Sequence, residues 1–455
     1  MNVNTEANSS LKRVLPLASV VFYGFAYLIP TSVFDMYGIV SSMTHGMLAL
    51  THLVTAIAMI FTAYSFGRMA AVYPISGSSY TYVQRAISPY LGFLTGWALL
   101  SDYLLIPMLS YVIAANYVST VFPQIPSWVW VVLFAGTVTF ITHIGIKVTA
   151  WVNNIIVLFQ FFVLLVVVFF MCKHLLGGGG AATFFDWSAF YNAKELHQEG
   201  VGFGVIFSGA SILVLSYLGF DAVTTLAEET INPRVTIGKG VMIICAGAGI
   251  AFTIISYFLL LSWPTGWKEF ADVNTASLEL FKRVGLDSLT VIYPFLAVIG
   301  ALAGPLAAQT SCSRMLYSMG RDNILPKKFF GYLHPKRSTP TFSILFIGGI
   351  SMIASFLDLT TAISLVNFGA LFGFTFVNIS VIFHYFIKEK KRNGFNLVRY
   401  LIVPLIGAGV CLTFLLNLDG NAKTVGFIWL VIGLIYLAIH TNFFRKLPPE
   451  LKLDQ

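Results

Sequence analysis

Three carboxylates stand inside long apolar stretches of the 455-residue chain: Asp35 in "YLIPTSVFDMYGIVSS", Asp102 in "LLSDYLLIP" and Asp221 in "YLGFDAVTTLAEET". On insertion scales a carboxylate in hydrocarbon costs about 2.5–3.5 kcal/mol, so each needs a partner or a cavity. No Lys or Arg is expected at a similar depth to balance them, and acids without balancing cations describe a site for a cationic guest. A guest with two ammonium ends needs an anion at each end and an apolar or aromatic middle. Tyr103, Tyr217 and Phe220 can supply that middle through cation–π contact and packing. Structural roles stay open for all of them. Asp221 can cap a following half-helix, and Asp35 can do the same or face an outer vestibule. Asp102 can hydrogen-bond internally, and the three aromatics can be packed core. Glu228 and Glu229, beside Pro233 and Arg234, read as members of cytoplasmic ion pairs and as a candidate inner gate.

The elements that hold these residues follow from composition. Hydrophobic residues are 57% and charged residues 10%, against about 25% charged in ordinary soluble chains. That much apolar surface cannot be hidden in a water-soluble core, so the chain is read as polytopic. Apolar runs of about 20 residues place twelve spans near 14–41, 47–72, 90–118, 127–145, 149–172, 202–229, 238–262, 288–318, 341–357, 360–387, 398–417 and 424–444. No cleavable leader is expected, because the first run is too long and lacks a small-residue cleavage site. The formal charge of +8 is spread unevenly. With the N-terminus inside, six of the 27 Lys and Arg fall in outer loops (Lys173, Lys194, Lys268, Lys282, Arg283, Lys423) and the rest lie inside. This asymmetry sets topology, with both termini cytoplasmic, and needs no nucleic acid partner.

Two spans are interrupted. The first contains Pro30, Thr31 and Ser32; the sixth contains Gly219 and Asp221 near its middle. Proline removes a backbone donor and clashes with the preceding turn. Matching breaks five spans apart are the sequence mark of inverted repeats around a midplane site. Unwound backbone at that depth is tolerated where it lines a protein cavity. Pro30–Ser32 are therefore expected to be non-helical and to face Tyr217–Phe220 across one. The chain divides into a tail (1–13), a first repeat (14–172), an outer loop (173–201), a second repeat (202–387), and two further spans with a C-terminal tail (388–455). The outer loop, with Gly177–Gly180, is expected to be a flexible connector. The basic stretch "LPKKFFGYLHPKRSTP" is expected along the bilayer surface.

Three ordered motifs carry a family resemblance. "YPISGSSYTYVQRAISPYLGFLTGW" (Tyr73–Trp97), "YLGFDAVTTLAEETINP" and "SRMLYSMGRDNILPKKFFGYLHPKRSTP" resemble signatures of the amino acid–polyamine–organocation (APC) superfamily over nearly the whole chain. Within it, "YLIPTSVFDMYGIVSS", "SDYLLIPMLSY" and "LVNFGALFGFTFVNISV" are most similar to bacterial putrescine importers. The resemblance implies an all-α integral membrane fold in the bacterial inner membrane. It would have twelve transmembrane helices in a leucine-transporter-type 5+5 inverted repeat, with helices 1 and 6 broken and two extra helices. It implies alternating-access import of a small organic cation, with an amino acid as the alternative substrate. Amino-acid members carry a glycine-rich first break whose amides hold a carboxylate. Here Ile29-Pro30-Thr31-Ser32 contains no glycine, which weakens that cradle. Gln160 falls where some proton-coupled relatives have a lysine, so that lysine mechanism does not carry over. A proton on a carboxylate or the membrane potential remains as the driving force.

Other classes find little support. HExxH, GxSG and GxGD motifs are absent, and the eight histidines are scattered. "IGKG" (237–240) lacks the leading glycine and the following Ser/Thr of a phosphate loop. No repeated selectivity filter suggests a channel. Cys172, Cys245, Cys312 and Cys411 fall singly in four spans, a pattern that suits neither disulfides nor zinc. No cofactor or metal is expected; the partners are a small-molecule substrate and membrane lipid, and oligomeric state is not legible. Gly300 and Gly304 read as a close helix contact.

Overall fold

The computed structural model describes residues 12–181, 183–197, 202–273, 275–352, 359–418 and 420–445. Among them the architecture is helical, and the one β-type contact is an isolated bridge between Leu15 and Thr230. The first part comprises α1 (Leu17–Leu28), α2 (Ser32–Asp35), α3 (Tyr37–Met43), α4 (Leu48–Val72) and α5 (Ser79–Ala86), then α6 (Pro89–Val121), α7 (Ser127–Ile144) and α8 (Ile146–Leu176). The short α9 (Ala193–Leu196) precedes α10 (Gly204–Leu213), two 3-10 segments (Val214–Tyr217 and Ala222–Glu229) and α11 (Pro233–Ser262). Next come α12 (Gly266–Glu269), α13 (Ala276–Arg283), α14 (Asp287–Arg321), α15 (Lys327–Phe330) and α16 (Thr341–Ser351). The chain closes with α17 (Leu359–Val381), a π-helical turn (Ile382–Lys388), α18 (Phe395–Leu397), a second π-helical turn (Val398–Ile402), α19 (Val403–Leu416) and α20 (Gly420–His440).

Among the described residues ten helical stretches are long and apolar enough to cross a membrane, and they match ten of the twelve expected spans. The other two expected spans fall on α14 and α16. α14 has 35 residues, or about 52 Å at 1.5 Å per residue, long enough to cross a bilayer. It buries Gln309, Thr310, Ser311, Ser313, Arg314 and Ser318 against its neighbours. α16 is described for 11 residues, and the rest of the expected 341–357 span runs onto 353–358, outside the described residues. The exterior is apolar: Leu158, Phe162, Leu165 and Phe169 of α8 and Phe427, Val431, Ile435 and Ile439 of α20 are exposed. Spacings of three and four put each set on one face, as lipid contact requires.

Small residues bring the central helices together. A Cβ on Gly67 of α4 would lie 3.2 Å from the Gly238 Cα of α11, and one on Gly249 would lie 2.6 Å from the Ala56 Cβ. Gly300 and Gly304 of α14 do make a close contact, but with the first break. A Cβ on Gly304 would come within 2.9 Å of the Ile29 side chain.

Both expected interruptions are present, with changed boundaries. α1 stops at Leu28, Ile29 takes a left-handed φ of 52°, and the Ser32 amide donates to the Ile29 carbonyl at 2.8 Å. Ser32 is helical, so the break is Ile29–Thr31 and not Pro30–Ser32. Pro30 ends the ladder because it has no N–H to donate. A β-branched residue at positive φ is a rare, strained arrangement. The second break passes from the Val214–Tyr217 3-10 turn through extended Leu218 to Gly219 at φ +126°. The following half-helix is 3-10 throughout (Ala222–Glu229), tighter than an α-helix.

The outer loop is largely exposed but is tied to α11 at points along its described part. The Ala181 amide donates to the Leu261 carbonyl at 2.8 Å, and the Tyr257 hydroxyl donates to the carbonyls of Phe184 and Asp186.

Candidate substrate site

The two breaks touch. A Cβ on Gly219 would lie 2.8 Å from the Tyr27 Cβ and 2.9 Å from the Gly24 carbonyl oxygen. Only glycine fits there, by space and by φ. The expected cavity between Pro30–Ser32 and Tyr217–Phe220 is thus replaced, at Gly219, by direct packing of α1 on the second break.

The acids gather beside this contact. Asp102 and Asp221 are fully buried, as are Tyr103, Tyr217 and Phe220. The Tyr27 hydroxyl donates to Asp102 Oδ1 at 3.0 Å, and the Tyr103 hydroxyl donates to Asp221 Oδ2 at 2.8 Å. The Tyr27 and Tyr103 rings meet edge to face, 6.1 Å between centroids. Asp221 Oδ1 accepts from the Gly219 amide at 3.1 Å. Asp221 stands at the N-cap position of the 3-10 segment, yet this hydrogen bond runs backward to the break and fixes its geometry. The second oxygen of Asp102 is buried and has no hydrogen-bond partner among the described residues. α6 is itself weakened here, since Pro107 cannot donate to the Tyr103 carbonyl four residues back.

The remaining expected residues separate into three places. Tyr217 donates to the His52 carbonyl at 3.1 Å and packs on Phe252; Phe220 sits between Phe66 and Phe374. Both rings line the hydrophobic core next to the acids. Asp35 is partly buried further along the first span, where it accepts from Tyr293 at 3.1 Å beside Phe34 and Phe281. Thr31 is buried near Gln160, both close to Gly300.

Glu228 and Glu229 do form ion pairs, with arginines of α14 and not with Arg234. Arg314 holds Glu229 through Nε (2.8 Å) and Nη2 (3.1 Å), both side chains almost wholly buried. Arg321 holds Glu228 through Nη1 (3.0 Å) and Nη2 (2.9 Å) at 24% and 17% side-chain exposure. The same end is sewn further by Val14 and Leu15 amides on the Glu229 carbonyl and by the Ser76 amide on Glu228. The Ser318 hydroxyl donates to the Ser76 carbonyl, and Tyr80 donates to Asp322 at 2.6 Å. Burial raises the Asp322 carboxyl above its usual range, against the pull of the Tyr80 hydrogen bond and Arg321.

Sequence reasoning missed Tyr27, Tyr293, Arg314 and Arg321. Arg314 and Arg321 are seven apart in "SRMLYSMGRD", hence on one face of a helix, which would have matched two adjacent acids. Tyr27 lies two residues before the first break, and nothing in its neighbours points to Asp102.

Ten apolar helical stretches among the described residues, two of them interrupted beside the buried acids Asp102 and Asp221, define a multi-pass membrane protein of the transporter kind. Residues 19–443 match the family described as "Amino acid permease", and the chain belongs to that family. It is 36% identical over 454 residues to the low-affinity putrescine importer PlaP of Escherichia coli K12, covering 99% of each chain. It is 26% identical to the branched-chain amino acid permease BcaP of Bacillus subtilis, over 97% of this chain and 96% of that one. The methylthioribose transporter of Bacillus subtilis is 28% identical over 96% and 95%.

Proposed function

We propose that this permease-family transporter imports a small organic cation, putrescine above all, by alternating access across a bacterial cytoplasmic membrane. The observation that carries the reading is the Asp102–Asp221 cluster. Two buried acids each accept from a tyrosine, and one carboxylate oxygen is left without a partner among the described residues. An ammonium satisfies such an oxygen through charge and hydrogen bonding together. The amides that would hold a substrate carboxylate are poorly supplied. Pro30 has none, Ser32 donates to Ile29, and the Gly219 amide is already given to Asp221. The 36% identity to a putrescine importer supports the same substrate class.

In this reading the chain has twelve spans, α14 and α16 completing the ten, with both termini cytoplasmic. Residues 14–172 and 202–387 form the inverted repeats, and 388–455 hold two added helices and a tail. Pro30, Thr31, Ser32, Asp102, Tyr103, Tyr217, Gly219, Phe220 and Asp221 surround the substrate. Asp35 meets it on the outer path, and Glu228 and Glu229 close the inner one. Uptake is driven by protons or by membrane potential. An amino-acid substrate is the second reading, favoured by the likeness to branched-chain permeases over nearly the whole chain.

Uptake by the purified protein in liposomes, with competitors, separates the two. Putrescine should compete well and ornithine, which adds one carboxylate to the same two amines, at least tenfold less. That factor corresponds to about 1.4 kcal/mol. Ornithine or a neutral amino acid outcompeting putrescine would replace the polyamine reading with the amino-acid one.

A further inference from the structure

Away from the acids, α4, α11 and the second π-helical turn enclose a groove of about 380 Å³ on the outer face of the bundle. Its walls are apolar, from Phe61 and Tyr64 of α4, Met242 of α11 and Val398, and two arginines, Arg68 and Arg399, complete it. Its surroundings are lipid-facing: Ile57, Ile243, Phe395 and Ile402 are exposed on the same helices. Arg68 lies four residues from the end of α4, so the charged part of the groove lies close to the end of the helix, where a membrane surface would fall.

Each arginine is held by its face. The Arg68 guanidinium lies over the rings of Tyr64 (5.0 Å) and Tyr400 (5.9 Å), and Tyr400 stacks on Tyr385 at 4.4 Å. Arg399 lies over Phe395 at 4.6 Å. Cation–π contact fixes the guanidinium plane but leaves its N–H edge to donate. Among the described residues neither arginine forms an ion pair. Glu389, the acid that acts on Tyr385, is already bound by Lys391 (2.7 Å) and faces His384 (3.3 Å). Lys239, exposed on α11 one turn before Met242, adds a third positive charge. Two π-helical turns flank the site, a wider winding that often marks a functional position.

We propose that this groove binds an anionic phospholipid of the cytoplasmic leaflet. The phosphodiester lies between Arg68 and Arg399, and one acyl chain runs along Phe61 and Met242. Charge complementarity selects the occupant. Unpaired arginines above an apolar channel match a phosphate on an aliphatic chain, and a zwitterionic headgroup would bring a cation toward them. The site is independent of the transported substrate and rests only on reading this end of the bundle as cytoplasmic.

Native mass spectrometry of the delipidated full-length protein, titrated with phosphatidylglycerol and phosphatidylcholine, tests it. Phosphatidylglycerol should be retained at least tenfold more than phosphatidylcholine. The preference should vanish in Arg68→Gln/Arg399→Gln and persist in Lys327→Gln/Lys328→Gln, which removes two charges from exposed α15. Met242→Trp fills the groove and keeps both arginines, so it should also abolish retention, and it decides the matter if the double variant does not fold. Equal retention of the two lipids by the parent protein would overturn the proposal. So would an unchanged preference in Met242→Trp, or competition by glycerol phosphate as strong as that of the whole lipid.

Discussion

Asp102 and Asp221 sit against tyrosine hydroxyls, whereas Glu228 and Glu229 each sit in the fork of an arginine. All four acids lie on or beside the two interrupted stretches, and they meet the cost of burial in opposite ways. A bidentate arginine neutralises its carboxylate within the protein and pins α14 to the half-helix that carries Glu228 and Glu229. A tyrosine hydroxyl supplies a hydrogen bond and no charge. The first arrangement balances its charge within the protein, and the second leaves its charge, and one oxygen of Asp102, to the cation of the proposed function. The contrast supports the proposed division into a closure and a binding site without reference to any relative.

The largest effect is expected where the compensation is internal. Arg314→Ala leaves Glu229 buried and unpaired, which costs about 3–5 kcal/mol. Thermal unfolding in detergent should show it, and the double change Arg314→Met/Glu229→Leu should recover most of the loss, because apolar replacement of a whole buried pair is often neutral. An unaltered melting temperature in the single variant would remove the distinction between the two acid pairs.

Next come the acids themselves. Asp102→Asn and Asp221→Asn should leave the melting temperature unchanged or raised, since no positive partner is orphaned. Putrescine uptake should fall by a factor corresponding to about 2–5 kcal/mol of binding. The asymmetry between stability and transport is the signature sought. Loss of folding without a specific loss of transport would place these acids with Glu229 as structural groups. Tyr27→Phe and Tyr103→Phe should do less: each removes one hydrogen bond to a buried carboxylate, about 1–3 kcal/mol. The expected readout is a raised KM for uptake with kcat little changed.

The difference between these regions also explains what could be read from the sequence. Ten spans and both interruptions were legible, because apolar run length and a proline at membrane depth are local signals. Asp102 and Asp221 stood out for the same reason: charge is rare in such runs. Their meeting in space was inferred only through the repeat symmetry. Residues supplied by distant segments were not legible. Tyr27 reaches Asp102 across 75 positions and Arg314 reaches Glu229 across 85. The exact limits of the first break were misplaced because Ile29, a poor residue for positive φ, adopts it under the constraint of Pro30 and packs on Gly304. The span at α14 was legible as an apolar run near 288–318, whereas the polar face it buries in its second half was not. Tyr217 and Phe220 were read from the sequence either as the aromatic middle of a site or as packed core. Their side chains turn to His52, Phe252, Phe66 and Phe374 because the extended Leu218 and Gly219 rotate the chain between them.

Asp322 sharpens the comparison with the smallest effect, because it combines the two arrangements. It accepts from Tyr80 as the central acids accept from tyrosine, and it lies next to Arg321, whose charge is spent on Glu228. Burial outweighs both influences and raises its carboxyl above the ordinary aspartate value. The folded protein therefore binds this proton more tightly than the unfolded chain does. The sign follows from linkage: stability falls as pH rises from the unfolded value through the raised folded one, and the ionised form is the costly one at neutral pH. Asp322→Asn keeps an oxygen for the Tyr80 hydroxyl and removes the charge. It should raise the melting temperature slightly at pH 7, by an amount equivalent to about 1 kcal/mol or less, and the advantage should disappear in acid, where the parent residue is itself protonated. Melting curves of both proteins from pH 4 to pH 8 would reveal the trend. A variant less stable than the parent at pH 7 would mean that Arg321 compensates Asp322 as well as Glu228, and that this acid belongs with the closed ion pairs after all.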